Sequence, residues 1–118
     1  MVANTPKTRK AKGRNFQNWV VKSILDSNPQ LTDRDVRGAV MGEKGVDIKL
    51  SEEGLRAFPY SVECKAVESI NVWECWKQAQ ANKEKNTQPI LFIKRNHTDP
   101  IVVVSASYFI EIVSKLNV

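Results

Sequence analysis

Two stretches decide how this chain is read: Val46-Asp47-Ile48-Lys49-Leu50 and Tyr60-Ser61-Val62-Glu63-Cys64-Lys65-Ala66-Val67. Both alternate apolar and polar residues, the pattern of a strand with one face against a core. Residues 51–54 between them read as a turn, so the two strands are expected to pair as a hairpin. On the second strand Glu63 and Lys65 are two apart and share a face, while Val62, Cys64 and Ala66 take the other. Asp47 faces opposite to Val46 and Ile48. The 16 residues from Asp47 to Glu63 suit a hairpin that brings both carboxylates together.

Outward from this pair, residues 15–27 read as a helix, because Phe16, Val20, Ile24 and Trp19, Val21, Leu25 recur at spacings of three and four. Asn28-Pro29 ends it, since proline disfavours helix in the residue before it. Residues 30–45, with Gly38, Gly42 and Gly45, read as a loop with room for a turn of helix. Residues 71–86 read as a helix with Asn71 as N-cap, Glu74 three residues on, and Val72, Cys75, Trp76 and Ala79 as its apolar face. Residues 89–94 and 101–104 are short apolar runs that suit buried strands, joined by a turn at 97–100. Residues 107–116 close the chain as a helix with Tyr108, Ile112 and Leu116 inward. The expected order is α-β-β-α-β-β-α, an α/β fold with a small mixed central sheet flanked by helices. Residues 15–118 would form one domain, preceded by a flexible basic arm at 1–14.

The chain's 118 residues allow one domain with a core of its own. Its net charge of +5 is concentrated in the arm, where Lys7, Arg9, Lys10, Lys12 and Arg14 meet no acidic residue. The other 104 residues balance 13 basic against 13 acidic side chains. A basic arm on a neutral body suits a polyanion, most often nucleic acid; the plain alternative is a solubilising tail. An anionic membrane fits less well, because the arm lacks large apolar anchors. No apolar run approaches the roughly 20 residues of a membrane span, and residues 1–14 lack the apolar stretch of a secretory signal. An intracellular, cytoplasmic protein with reduced thiols is therefore expected. Cys64, Cys75 and His97 make three candidate zinc ligands, one short of a structural site. A Cys–His–Asp nucleophilic triad has no supporting motif.

The chemistry-bearing constellation is Asp47, Glu63 and Lys65. Two carboxylates on one sheet surface repel each other unless a cation sits between them. Mg²⁺, with Mn²⁺ as a possible substitute, takes carboxylate, carbonyl and water oxygens, and the Cys64 carbonyl lies between the two side chains. A lysine ammonium beside such an ion stabilises charge on an attacking hydroxide or a phosphate oxygen. Together these parts can hydrolyse a phosphodiester.

Asp47 followed by Glu63-Cys64-Lys65, after an initial helix, resembles the PD-(D/E)XK nuclease superfamily, and more specifically the archaeal-type Holliday junction resolvases and their phage relatives. Lys12-Gly13-Arg14-Asn15-Phe16-Gln17 resembles the basic segment that opens their first helix, Gly45-Val46-Asp47-Ile48 their metal-site strand, and Gln78 a recurrent glutamine on the following helix. The resemblance runs over residues 12–104. It implies a restriction-endonuclease-like fold and a Mg²⁺-dependent endodeoxyribonuclease acting on branched DNA in recombination. Asp47, Glu63, Lys65 and Gln78 would be catalytic, and Asp47, Glu63 and the Cys64 carbonyl would be the metal ligands. It also implies a homodimer, since resolvases cut two strands symmetrically, and the host cytoplasm if the chain is phage-encoded. Two positions depart from the pattern. Val46 stands where the superfamily has proline, and Gln17 where resolvases carry a glutamate, so Gln17 is a possible site residue that brings no charge.

Each residue also has a plainer reading. Glu63-x-Lys65 alone is a common surface pair. Lys49 is either a decoy acid-x-Lys partner of Asp47 or a DNA contact. Asp33 and Asp35 suit a solvated loop or an N-cap. Trp19, Trp73 and Trp76 suit packing or an interface more than base stacking, His97 suits an exposed turn, and the two cysteines suit the core. Two other functions compete: a non-catalytic nucleic-acid-binding domain on a nuclease fold, and a sequence-preferring restriction or nicking endonuclease.

Overall fold

The computed structural model describes residues 5–117. Nine elements follow in order: α1 (Pro6–Ser27), β1 (Val36–Gly38), β2 (Ile48–Leu50), α2 (Glu52–Ala57), β3 (Tyr60–Ala66), α3 (Val72–Asn82), β4 (Gln88–Lys94), β5 (Ile101–Val103) and α4 (Ala106–Leu116). The class is α/β, a mixed three-stranded sheet beside a two-stranded one. None of the helices described is long and apolar enough to cross a membrane.

The order differs from α-β-β-α-β-β-α in two insertions. A short strand, β1, forms within the segment expected as loop, and a short helix, α2, replaces the turn expected at 51–54. The Ser51 side chain caps α2 by accepting the Gly54 N–H at 3.0 Å. Gly54 is required there: a Cβ would stand 2.5 Å from the Asp35 carbonyl oxygen. Asp35 ties this corner together, its carboxylate accepting from the Ser51 hydroxyl at 2.7 Å and from the Thr32 N–H at 2.9 Å.

These insertions redirect the pairing. The expected hairpin between the two alternating stretches does not form. β2 pairs antiparallel with β1, Gly38 opposite Ile48, while β3 pairs parallel with β4, from Tyr60 opposite Gln88 to Ala66 opposite Lys94. A parallel pair needs a crossover, and α3 supplies it. β5 then adds antiparallel to β4, so the sheet order is β3-β4-β5.

The core lies between α1 and one face of the sheets. Phe16, Val20 and Ile24, at helical spacing, pack with Val36, Ile48 and Val62. A second, smaller cluster of Ala79, Leu91 and Ile93 lies under α3. Asn71 caps α3 as expected, accepting the Glu74 N–H at 3.1 Å.

Two terminal expectations are corrected. α1 begins at Pro6 behind a Thr5 cap, so residues 6–14 of the basic arm form the first turns of one helix continuous with its buried half; residues 1–4 lie outside the described region. Proline at the start of a helix forgoes only an N–H that would have no partner anyway. α4 does form, but no residue of it is buried and Leu116 is 81% exposed. The helix leans on the body through Tyr108, whose hydroxyl meets that of Tyr60.

Candidate active site

Asp47 stands immediately before β2, against the edge of β3 that faces away from β4. Its N–H donates to the Val62 carbonyl at 2.9 Å, and its own carbonyl accepts the Ala39 N–H at 2.7 Å. Its carboxylate Oδ2 accepts the Cys64 N–H at 2.8 Å. One residue thus joins the small sheet to the large one and supplies an acceptor for a strand edge that would otherwise be open. Within a strand, the N–H and C=O of one residue point to the same side. The Cys64 carbonyl therefore faces that same edge.

Glu63 is 4% exposed and lies on the α3 side of β3, opposite in facing to Val62. Its Oε1 accepts from Asn82 Nδ2 at 2.9 Å. Burial pushes its carboxyl up to about 7, and the Asp47 carboxylate, within hydrogen-bonding reach, pushes the same way. The Asn82 hydrogen bond and the nearby Lys65 charge oppose that rise without cancelling it. Near neutrality Glu63 therefore favours either a proton or a cation beside it. Burial, with both carboxylates close by, also raises the Cys64 thiol, which stays protonated and is no nucleophile.

The donor set suits a small hard cation. Asp47 and Glu63 offer carboxylate oxygens and Cys64 a backbone carbonyl on the edge that Asp47 meets, and Mg²⁺ completes such a partial set with water. Among the described residues no three His, Cys, Asp or Glu side chains gather as a metal cluster, so the candidate site carries two acids only.

The other candidates are distributed unequally. Lys65 is half-buried on the face of Glu63. Gln17 is half-buried on α1, and its Oε1 would stand 2.9 Å from a Cβ at Gly38, the residue opposite Ile48. This places Gln17 beside the small sheet one residue from Asp47's register. Gln78 is exposed on α3. Lys49 is held locally, its Nζ donating to the Lys44 carbonyl at 2.6 Å. Lys7, Arg9, Lys10 and Arg14 are exposed along the first turns of α1, and Lys12 is half-buried. Trp73 is 80% exposed and His97 is exposed in a turn.

Asn82 is the residue that sequence reasoning missed. A signal was present: Cys75, Ala79 and Asn82 recur at spacings of four and three, which puts a polar amide on the inward stripe of α3. Gln78 lies one turn earlier, displaced toward solvent.

No family model, no curated protein and no solved structure matches this chain.

Proposed function

We propose that this chain is a Mg²⁺-dependent endodeoxyribonuclease, with Mn²⁺ as a substitute ion, acting on branched DNA of the Holliday-junction kind. The observation that carries the reading is the meeting of Asp47 and buried Glu63 at the free edge of β3, with Lys65 beside them. Asp47, Glu63 and the Cys64 carbonyl would hold the ion. When bound, it would supply Lewis acidity toward a phosphoryl oxygen and lower the pKa of water.

The chain's own groups supply the rest. Asn82 holds the Glu63 carboxylate in one orientation. The Cys64 N–H fixes the rotamer of Asp47. Lys65 positions the attacking water and offsets negative charge developing on the phosphate. Gln78, at the exposed rim of α3, orients the nucleophile or a ligand. Lys7, Arg9, Lys10, Lys12 and Arg14, displayed on a helix, contact DNA phosphates and add affinity without reading sequence.

Symmetric cutting of a junction calls for two copies, and the uncovered apolar side chains of β5 and of α4 suit contact with a second copy of this chain. β5 is an edge strand, with Ile101 and Val102 half-exposed or more. Phe109, Ile110 and Leu116 are uncovered on α4. Glu111 and Lys115 pair within α4 at 3.7 Å, so two α4 helices packed antiparallel about a two-fold axis would match acid to base. The chain would work inside the cell, in the cytoplasm.

The deciding experiment compares cleavage of a four-way junction, a flap, a linear duplex and a single strand, with Mg²⁺ and with EDTA. Metal-dependent junction cutting that Asp47→Asn removes supports the proposal. Cutting of linear duplex at one sequence would favour a restriction-type enzyme. Binding without any cutting would make the chain a nucleic-acid-binding module.

A further inference from the structure

A second feature lies on the other face of β3, outside the acidic centre. Lys12, Asn15, Phe16 and Trp19 recur along α1 at i, i+3, i+4 and i+7 and so form one stripe of that helix. The stripe walls a groove of about 440 Å³ whose floor includes Ala66 and whose far wall is the chain from Lys94 to Pro100. Ala66 and Lys94 are paired at the carboxyl ends of the parallel strands β3 and β4. Open α/β sheets bind ligands in the crevice beyond such strand ends.

The groove has two kinds of wall. Trp19 is 47% exposed, and its ring is backed by Phe16, with centroids 6.1 Å apart and planes within 25°. An indole held from behind with a face in solvent is a stacking platform. Lys12, Lys94 and Arg95 bring three positive charges against one acid, Asp99. None of these three has a carboxylate partner among the described residues. Lys94 is braced by donating to the Arg95 and Thr98 carbonyls, both at 3.1 Å, so its ammonium is fixed in place. An aromatic platform rimmed by cations recognises a flat base joined to a phosphate. The volume suits one nucleotide.

We infer that this groove is an anchoring subsite for an unpaired nucleotide of the nucleic-acid strand, with the base on Trp19 and the phosphate between Lys12 and Arg95. The inference rests on the proposed action on nucleic acid and adds to it. Ala66 is three residues from Glu63, about 10 Å along the strand. A strand held in the groove therefore lies at the carboxyl end of β3, on the face opposite Glu63. A fully stacked duplex offers no free base face here, whereas a branch point or a frayed end does. The groove would thus contribute to choosing branched over linear DNA.

The test is a binding titration of the full chain in EDTA, which removes cleavage. The probes are a fluorescein-labelled eight-residue oligothymidylate, an abasic oligomer of the same length, and free thymidine 5′-monophosphate. Trp19→Ala should weaken oligothymidylate binding roughly tenfold or more. Trp19→Phe should retain most of it, and Trp73→Ala, at an exposed tryptophan on α3, should leave it unaltered. The abasic oligomer should bind more weakly and ignore Trp19→Ala while still responding to Arg95→Ala. Binding of the free monophosphate that Trp19→Ala weakens equally would reassign the groove to free nucleotides and overturn the strand-anchor claim. Equal binding of abasic and thymidine oligomers, or an unaffected Trp19→Ala with native melting behaviour, would overturn it too. Failure of the nuclease reading looks different: no metal-dependent cutting by the unmodified chain, with the Trp19 dependence of binding intact.

Discussion

The two faces of β3 are made by neighbouring residues and do opposite work. Val62, fully buried, packs under α1 with Phe16 and Val20. Glu63, almost as buried, lies under α3 against a single amide and a second acid. Burial stabilises the first side chain and strains the second, because removing a methyl group from water is favourable while removing a carboxylate is not. A strand can therefore hold its fold with one face and a reactive, poorly solvated acid with the other.

The largest effect expected from this contrast comes from Glu63→Gln, which should reduce junction cleavage on the order of 10³-fold, about 4 kcal/mol of transition-state stabilisation. The same change should leave melting at pH 8 unchanged or raised, since at that pH it replaces a buried carboxylate that is ionised at a cost. Val62→Ala should do the reverse, lowering stability by about 2 to 3 kcal/mol through lost contact and a cavity while leaving turnover of the folded fraction near normal. Parallel urea melts and cleavage rates would break the contrast if both variants moved both quantities alike.

The pH dependence sharpens it. Glu63 ionises near pH 7 in the folded chain against 4.5 when unfolded, so the folded state holds the extra proton. The stability this contributes is complete below pH 4.5 and is lost as pH rises through about 7. Without divalent ions the melting temperature should fall between pH 5 and pH 8. Glu63→Gln should flatten that fall, and Mg²⁺ should raise the melting temperature at pH 8 more than at pH 5. Scanning calorimetry at the two pH values, with and without Mg²⁺, measures all three.

Smaller effects are expected away from β3. Replacing Lys7, Arg9, Lys10 and Arg14 together by glutamine should make the slope of log K against log[salt] shallower by up to roughly 3 to 4, at about 0.9 per phosphate contact. Preference for the junction should survive, and an unchanged slope would make these turns of α1 a solubilising surface only. Gln17→Glu is the mildest change: a third carboxylate beside Gly38 should lower the Mg²⁺ concentration for half-maximal cleavage by several-fold. An identical metal requirement would place Gln17 outside the centre.

Much of this was legible because it is local. Alternation around Val62 and Glu63 revealed the strand and which residues share a face, and the Asn71 cap marked the start of α3. The stripe of Phe16, Val20 and Ile24 marked the helix that covers the core. What failed was local information asked to answer a distant question. Nothing near Gln78 or Asn82 says which of them meets Glu63, because that depends on how α3 is rotated on the sheet. Leu116 was expected inward from its spacing with Tyr108 and Ile112, yet α4 has no described surface over that side.

The sequence by itself determined the α/β class, the faces of β3, the helix that covers its apolar side and the concentration of charge at the N-terminal end. Those follow from period, capping and composition, each set within a few residues. Tertiary structure alone decided that β3 pairs with β4 rather than with β2. It also brought Asp47 to the edge of β3 through a side-chain bond to the Cys64 N–H, and Asn82 to Glu63. Partner choice between strands is settled by what packs over them. Once α2 fills the expected turn and α3 crosses the sheet, a parallel β3–β4 pair buries Val62, Leu91 and Ile93, and the hairpin partner is left to β1.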